Sequence, residues 1–217
     1  MKNKILFIGD GSQFRVAKSL IDLNLFEITK FRISLNKNIY ENKNKVYLKN
    51  FFKKNKDTKI FIFIAIGFNY KRKIIADYFN INFKGKFSYK TIISKNSNIA
   101  SDVKIGKGSI IMPGVTINTN TKIGKHSIIN TNSSLDHDNS LGNFSSVGPG
   151  VNTGGNVKIG NYTHIGIGSS IKHGISLKSN IVIGGSSFVN KNCNGNSLYY
   201  GAPVKLIKKR KIDDKYL

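Results

Sequence analysis

From Ile93 to Asn194 the chain repeats itself every six residues without a break. Cut at Ile93, Ile99, Ile105 and onward to Val189, the stretch yields seventeen hexads, sixteen of which begin with an aliphatic residue; Thr153 alone departs. The second position is often glycine, as at Gly106, Gly124, Gly142, Gly154 and Gly160. The fifth is small or β-branched, as at Ser109, Val115, Ser127, Val151 and Ser169. A period of six matches neither a helix nor a simple alternating strand, and a fixed short repeat outranks any local propensity.

The spacing suits short strands of about five residues wound round a triangular prism, three hexads to the coil. First-position aliphatics fill the axis, while Gly, Asn and Asp permit the corners. Successive coils then pair as parallel strands roughly 4.8 Å apart, so residues eighteen apart in sequence stack. Such a solenoid needs capping at both ends.

Three Pro, no Trp and one Cys among 217 residues exclude a disulfide scaffold and a cysteine-based metal site. Cys193 occupies a fifth hexad position and reads as a small buried filler. No apolar run reaches membrane-spanning length, and the opening MKNKILFIGDG is too soon broken by Asp10 to be a signal peptide. A cytoplasmic protein without membrane insertion is the expectation. The formal charge of +24 would attract polyanions. Its lysines are spread along the whole chain with no nucleic-acid motif beside them, so composition explains most of it and no nucleic-acid partner is expected.

Ahead of the repeat, Lys4–Gly9 reads as a buried strand that ends on glycine, and Phe14, Ala17, Leu20 and Leu23 follow at helical spacing. Phe26–Ile33 reads as a second strand, Val46–Phe52 as a short helix, and Lys59–Gly67 as the strongest strand. A helix starts near Asn69. Two passages from strand through glycine to helix predict a small doubly wound α/β domain over 1–90, with Gly9 and Gly67 at the carboxyl edge where ligands bind. Arg72 would pair with a phosphate there or lie as a solvated helix residue, the second being favoured. Residues 91–197 form the prism, and 198–217 a capping segment with a short helix through Leu206 and Ile207.

All four histidines fall in the repeat, at 126, 137, 164 and 173. His137 stands apart because it lies in Asp136-His137-Asp138. A neighbouring carboxylate fixes an imidazole tautomer and raises its basicity, as a general base near neutral pH requires. Stacking puts Gly155 one coil beyond His137 and His173 two coils beyond. A base beside bare backbone N–H donors suits acyl transfer, one removing a proton and the other holding an oxyanion. The histidine gaps of eleven, twenty-seven and nine residues do not suit a zinc site, so no metal is expected.

The chain resembles the bacterial hexapeptide-repeat sugar acetyltransferases that carry an N-terminal nucleotide-sugar domain. These include nucleotide-amino-sugar N-acetyltransferases and sialic acid O-acetyltransferases. The resemblance rests on Gly9-Asp-Gly11, Ala65-Ile-Gly67-Phe-Asn69 with Arg72, Ile129-Asn130-Thr131, Leu135-Asp-His137-Asp138, Gly155-Asn-Val-Lys-Ile-Gly160 and Gly201-Ala-Pro203-Val-Lys205. It implies a Rossmann-like N-terminal domain, a left-handed parallel β-helix and a homotrimer with acetyl-CoA in the cleft between adjacent prisms. It implies His137 as general base and Asp138 as its orienting acid. Asn130, Ser146, Gly9, Gly11, Asn69 and Arg72 would serve the acceptor, and Gly155, Ile167, Lys172 and Pro203 the acetyl-CoA. Many relatives carry a second histidine where this chain has Ser146, and Gln13-Phe14 replaces their run of small residues.

The activity expected is acetyl-CoA-dependent N-acetylation of a nucleotide-linked amino sugar in bacterial surface-glycan synthesis. O-acetylation of a sugar or sialic acid is the near alternative. A non-catalytic trimeric scaffold for polyanions is the alternative of another class.

Overall fold

The structure, a computed structural model, describes residues 2–32, 39 and 41–216. Met1, Ile33 and Leu217, which the sequence reading placed in the first domain, the second strand and the tail, lie outside the described residues. The chain forms two compact units, one of residues 1–67 with 71–92, the other of 68–70 with 93–217.

In the first unit, β1 (Asn3–Ile8), α1 (Ser12–Ser19), β2 (Phe26–Phe31), α2 (Asn42–Lys54), β3 (Ile60–Ile64), α3 (Asn69–Asn82) and β4 (Ser88–Tyr89) alternate along the chain. The four strands make one parallel sheet in the order β2-β1-β3-β4. Ile5, Leu6, Phe7 and Ile8 are buried, as expected of a parallel strand covered on both faces. The strand order reverses beside β1, so the carboxyl ends of β1 and β3 flank a topological switch point. Gly9 ends β1 at φ +110°, and a Cβ there would lie 2.7 Å from the Ala65 carbonyl oxygen, so glycine is required on both counts. Helix α2 begins four residues before the expected Val46 and ends two after Phe52, since Leu48 and Phe52 supply its buried face and the flanking lysines ride in solvent.

The second unit is a parallel solenoid with three faces. Face I holds Lys104–Ile105, Lys122–Ile123, Ser140–Leu141, Lys158–Ile159 and Ser176–Leu177. Face II runs through Ile110–Ile111, Ile128–Ile129, Ser146–Val147, His164–Ile165 and Ile181–Ile183, and face III through Asn98–Ile99, Thr116–Ile117, Ser134–Leu135, Asn152–Thr153, Ser170–Ile171 and Phe188–Val189. Partners are eighteen residues apart as far as Val189, for example Leu135 with Thr153 and Thr153 with Ile171. The expected unbroken period fails in the last coil, where Leu177 bridges Cys193 and Ile181 pairs with Ser197, sixteen residues on. Most strands are two residues long rather than about five, because the tight corner takes the other four of each hexad.

The aliphatic first positions from Ile111 to Val189 are buried together in the axis. Ile99 and Ile105 are partly buried, and Ile93 is 44 % exposed, since coils at the open end have a neighbour on one side only. Fifth positions from Ser109 onward are buried as well, and their serines bond across coils: Ser127 Oγ donates to the Gly142 carbonyl at 3.0 Å, and Ser127 N–H donates to Ser109 Oγ at 2.9 Å. Second-position glycines follow from close approach: a Cβ on Gly106, Gly124 or Gly142 would lie 2.5 Å from a backbone nitrogen of the next coil. Fourth positions turn the corner with φ near +55°, a left-handed conformation that Asn and Asp tolerate, as at Asn120, Asp138 and Asn156.

The carboxyl end departs from expectation. In place of a helix, Lys205–Lys209 is a strand paired antiparallel with Ser197–Tyr200, which itself extends face II. A helix there would leave the N–H and C=O groups of the last solenoid strand unpaired. Leu206 and Ile207 stay exposed. Arg210 is buried and donates to the Asn180 side-chain oxygen and, at 2.6 Å, to the Asp214 carbonyl. Among the described residues no helix is long and apolar enough to cross a membrane.

Candidate active site

At the corner where face III passes to face I, Asp136-His137-Asp138 forms a charged arc on the surface. Asp138 has φ +61°, and its Oδ2 lies 2.7 Å from His137 Nδ1. An ionised carboxylate can only accept, so the proton sits on Nδ1 and the lone pair of the neutral ring is on Nε2. The coil below holds both carboxylates. Asn118 Nδ2 donates to Asp136 at 2.9 Å and Asn120 Nδ2 to Asp138 at 2.6 Å. The hydrogen bond to Asp138, helped by the charges of Asp136 and Asp138, raises the His137 pKa above its ordinary 6.5 against a smaller desolvation effect. Asp138 is held low in turn, first by His137 and then by Asn120.

Gly155 stacks one coil beyond. A Cβ there would lie 2.5 Å from both Cε1 and Nε2 of His137, so any side chain at 155 would displace the imidazole. Among the described residues the Gly155 N–H has no hydrogen-bond acceptor, whereas its carbonyl accepts from Gly174 at 3.0 Å. His173 follows, its ring centroid 6.3 Å from that of His137. Lys172 is exposed beside it.

Beneath this corner lies a polar network that the repeat pattern marked only as an irregularity. Thr153, the sole non-aliphatic first position, accepts from the buried Asn139 amide at 2.6 Å and from the Asp136 N–H at 3.2 Å. Asn139 also donates to the Gly154 carbonyl at 3.2 Å and accepts from Val157 N–H at 2.5 Å. Thr121 Oγ1 donates to the Asp136 carbonyl at 2.9 Å. Both strands of backbone that carry His137 and Gly155 are thereby tied to buried side chains. The signal was present in the break at Thr153, but its meaning depended on which residue faced it.

The remaining candidates divide among other places. Asn130 and Ile167 lie on the corner between faces II and III. Asn130 is half-buried with its Oδ1 accepting from Thr131 N–H at 2.9 Å, and Ile167 is 61 % exposed. Pro203 is exposed in the turn between the two end strands. Ser146 is buried on face II, its hydroxyl 3.0 Å from Asn69 Oδ1 and 2.8 Å from His164 Nδ1. Asn69 joins that cluster, its side-chain amide donating to the Thr163 carbonyl at 3.2 Å and its backbone N–H donating to Tyr216 Oη at 2.9 Å. Tyr216 stacks on His164 at 4.6 Å, a role for the tail that nothing in its sequence signals. His126 is buried and stacked on Phe144 at 4.9 Å, a packing role.

In the first unit, Gly11 caps α1 with open space where a Cβ would go. Arg72 is not solvated. It is buried and donates to the carbonyls of Ile66 and Gly67 at 3.0 and 2.6 Å, because these carbonyls lie in the loop after β3, where no strand ladder supplies donors. Among the described residues no cluster of three or more His, Cys, Asp or Glu could hold a metal ion.

No protein-family model matches the chain, and no curated protein matches it. Solved structures do. The acetyltransferase domain of PglB from Neisseria gonorrhoeae FA1090, in complex with acetyl coenzyme A, is 21 % identical with a TM-score of 0.82, covering 95 % of this chain and 100 % of that one. PerB from Caulobacter crescentus, in complex with CoA and GDP-perosamine, is 23 % identical with a TM-score of 0.80, covering 96 % and 99 %. WeeI from Acinetobacter baumannii AYE is 21 % identical with a TM-score of 0.75, covering 94 % and 100 %. At these identities the likeness establishes a shared fold across nearly the whole chain.

Proposed function

We propose that this chain transfers the acetyl group of acetyl-CoA to the amino group of a nucleotide-linked amino sugar. The observation that carries the reading is the contact of His137, oriented by Asp138, with the side-chain-free Gly155. Fold neighbours support it by what they hold: acetyl coenzyme A in the PglB domain, CoA and GDP-perosamine in PerB. The acceptor amine attacks the thioester carbon directly, and His137 Nε2 takes its proton. Asp138 keeps the ring in the receptive tautomer and steadies the imidazolium that forms. The Gly155 N–H receives the developing oxyanion.

On this reading the solenoid is left-handed, and residues 1–90 form a Rossmann-like domain for the nucleotide, with Gly9 and Gly11 at its switch point. The prism comprises 91–197 and the cap 198–217. Arg72 then acts by shaping the end of β3, since its guanidinium is already engaged. The work is cytoplasmic and serves surface-glycan synthesis.

A single prism does not gather every residue the reading needs. His137, Gly155 and Lys172 flank one edge of face III, and Asn130 and Ile167 flank the other. In a homotrimer with face III turned to the three-fold axis, those edges meet between neighbouring copies. Charge supports that choice. Face I presents Lys104, Lys122 and Lys158 outward, whereas the corresponding positions of face III are Asn98, Thr116, Ser134, Asn152, Ser170 and Phe188. In a chain of formal charge +24, an uncharged face is where copies meet without like-charge repulsion. Incubation with acetyl-CoA and a panel of nucleotide-linked amino sugars, read by product mass, tests the reading. Acetylation at nitrogen is expected; acetylation only at oxygen would move the reaction to the ester class.

A further inference from the structure

The corner column His137, Gly155, His173 contains a second imidazole to which the reaction so far gives no task. Its backbone sits against Gly154, where a Cβ would lie 2.8 Å from His173 N and 3.0 Å from its Cα. With no side chain on Gly155, the two rings stand 6.3 Å apart between centroids and tilt by 52°. Both are exposed. Asp136, held ionised first by the Asn118 amide and next by the His137 N–H, also feels the charge of each imidazole, which puts His173 within the electrostatics of the same arc.

We propose that His173 hydrogen-bonds the sulfur of the departing CoA thiolate. The inference rests on the acetyl-transfer reading above. With the acyl oxygen at the Gly155 N–H, His137 lies one coil to the amino-terminal side and His173 one coil to the carboxyl-terminal side. The acceptor amine is served by His137, which leaves the other flank of the carbonyl carbon for sulfur. The step balances. A C–N bond forms, the C–S bond breaks with its electron pair on sulfur, and the amine proton passes to His137 Nε2. A ring N–H of His173 donates to the sulfur, the thiolate takes a proton from solvent, and His137 releases one to solvent. Imidazole keeps an N–H donor whether neutral or charged, so this role needs no particular protonation state.

Titration of the CoA thiol bound to the full-length protein, followed by thiolate absorbance, tests the assignment without an acceptor. Donation to the sulfur lowers the midpoint of bound CoA by about one pH unit relative to free CoA. His137→Ala keeps that fall. His173→Gln, which retains a side-chain N–H, keeps part of it, and His173→Ala abolishes it while still binding CoA. A full shift in His173→Ala, or none in the unaltered protein with CoA bound, overturns the role of His173 and leaves the acetyl-transfer reading standing. Failure of CoA to bind at all overturns both.

Discussion

The general-base role proposed for His137 rests on contacts one or two atoms away. Its Nδ1 is held by Asp138, and the raised pKa has a kinetic consequence whose sign follows directly. The base must be neutral to accept a proton, so kcat/KM falls as pH drops through the His137 pKa. The acid limb of the pH–rate profile therefore lies above the ordinary 6.5 of histidine. Asp138→Asn removes the charge that favours imidazolium, and the profile should show the limb moved toward lower pH with a reduced plateau. An unmoved limb would assign the titration to another group. Gly155→Ala makes the complementary test. Its Cβ would fall 2.5 Å from the imidazole edge, so the exposed ring must turn away. Turnover should fall by about 10²-fold, the scale of a misplaced reacting group, with the melting temperature nearly unchanged.

At the scale of the coil, the site depends on buried hydrogen bonds between successive corners. Thr153 receives donors from Asn139 and Asp136, and valine of the same shape can receive neither. Thr153→Val should cost about 1–3 kcal/mol, the penalty of buried groups left unpaired, read by urea denaturation. It should also lower kcat more than it changes KM for acetyl-CoA. A gain in stability from filling the axis with one more aliphatic would contradict that account. This element also marks how far the sequence could be read. The period of six alone stacks 137 on 155, because the coils on either side of the site contain eighteen residues without insertion. The same rule puts Asn118 beneath Asp136 and Asn120 beneath Asp138, and would have found those clamps. It was silent on Arg72 and Tyr216. Their partners, the carbonyls of the loop after β3 and the ring of His164, are set by tertiary placement and not by period. The expected terminal helix failed for a related reason: local spacing of Leu206 and Ile207 carried less weight than an unpaired strand edge.

For the whole molecule, charge and symmetry bear on the same face. Three lysines on face I and neutral side chains along face III make face III, in a strongly basic chain, a surface suited to contact with its own copies. Light scattering should find three chains per particle. Asn152→Lys, which brings three added charges together at a three-fold axis, should release monomers and abolish acetyl transfer. Its exposed position leaves the prism itself intact. Activity retained by a monomer would put the whole site within one chain.

The claim on which the rest depends is that the His137 corner performs acetyl transfer. Its most direct test compares the unaltered protein with His137→Ala, each incubated with acetyl-CoA and nucleotide-linked amino sugars and read by product mass. The account predicts an acceptor that gains one acetyl group at nitrogen, with the rate falling by roughly 10²–10⁴-fold in the variant, as loss of a general base does. Equal rates from the two proteins would contradict it.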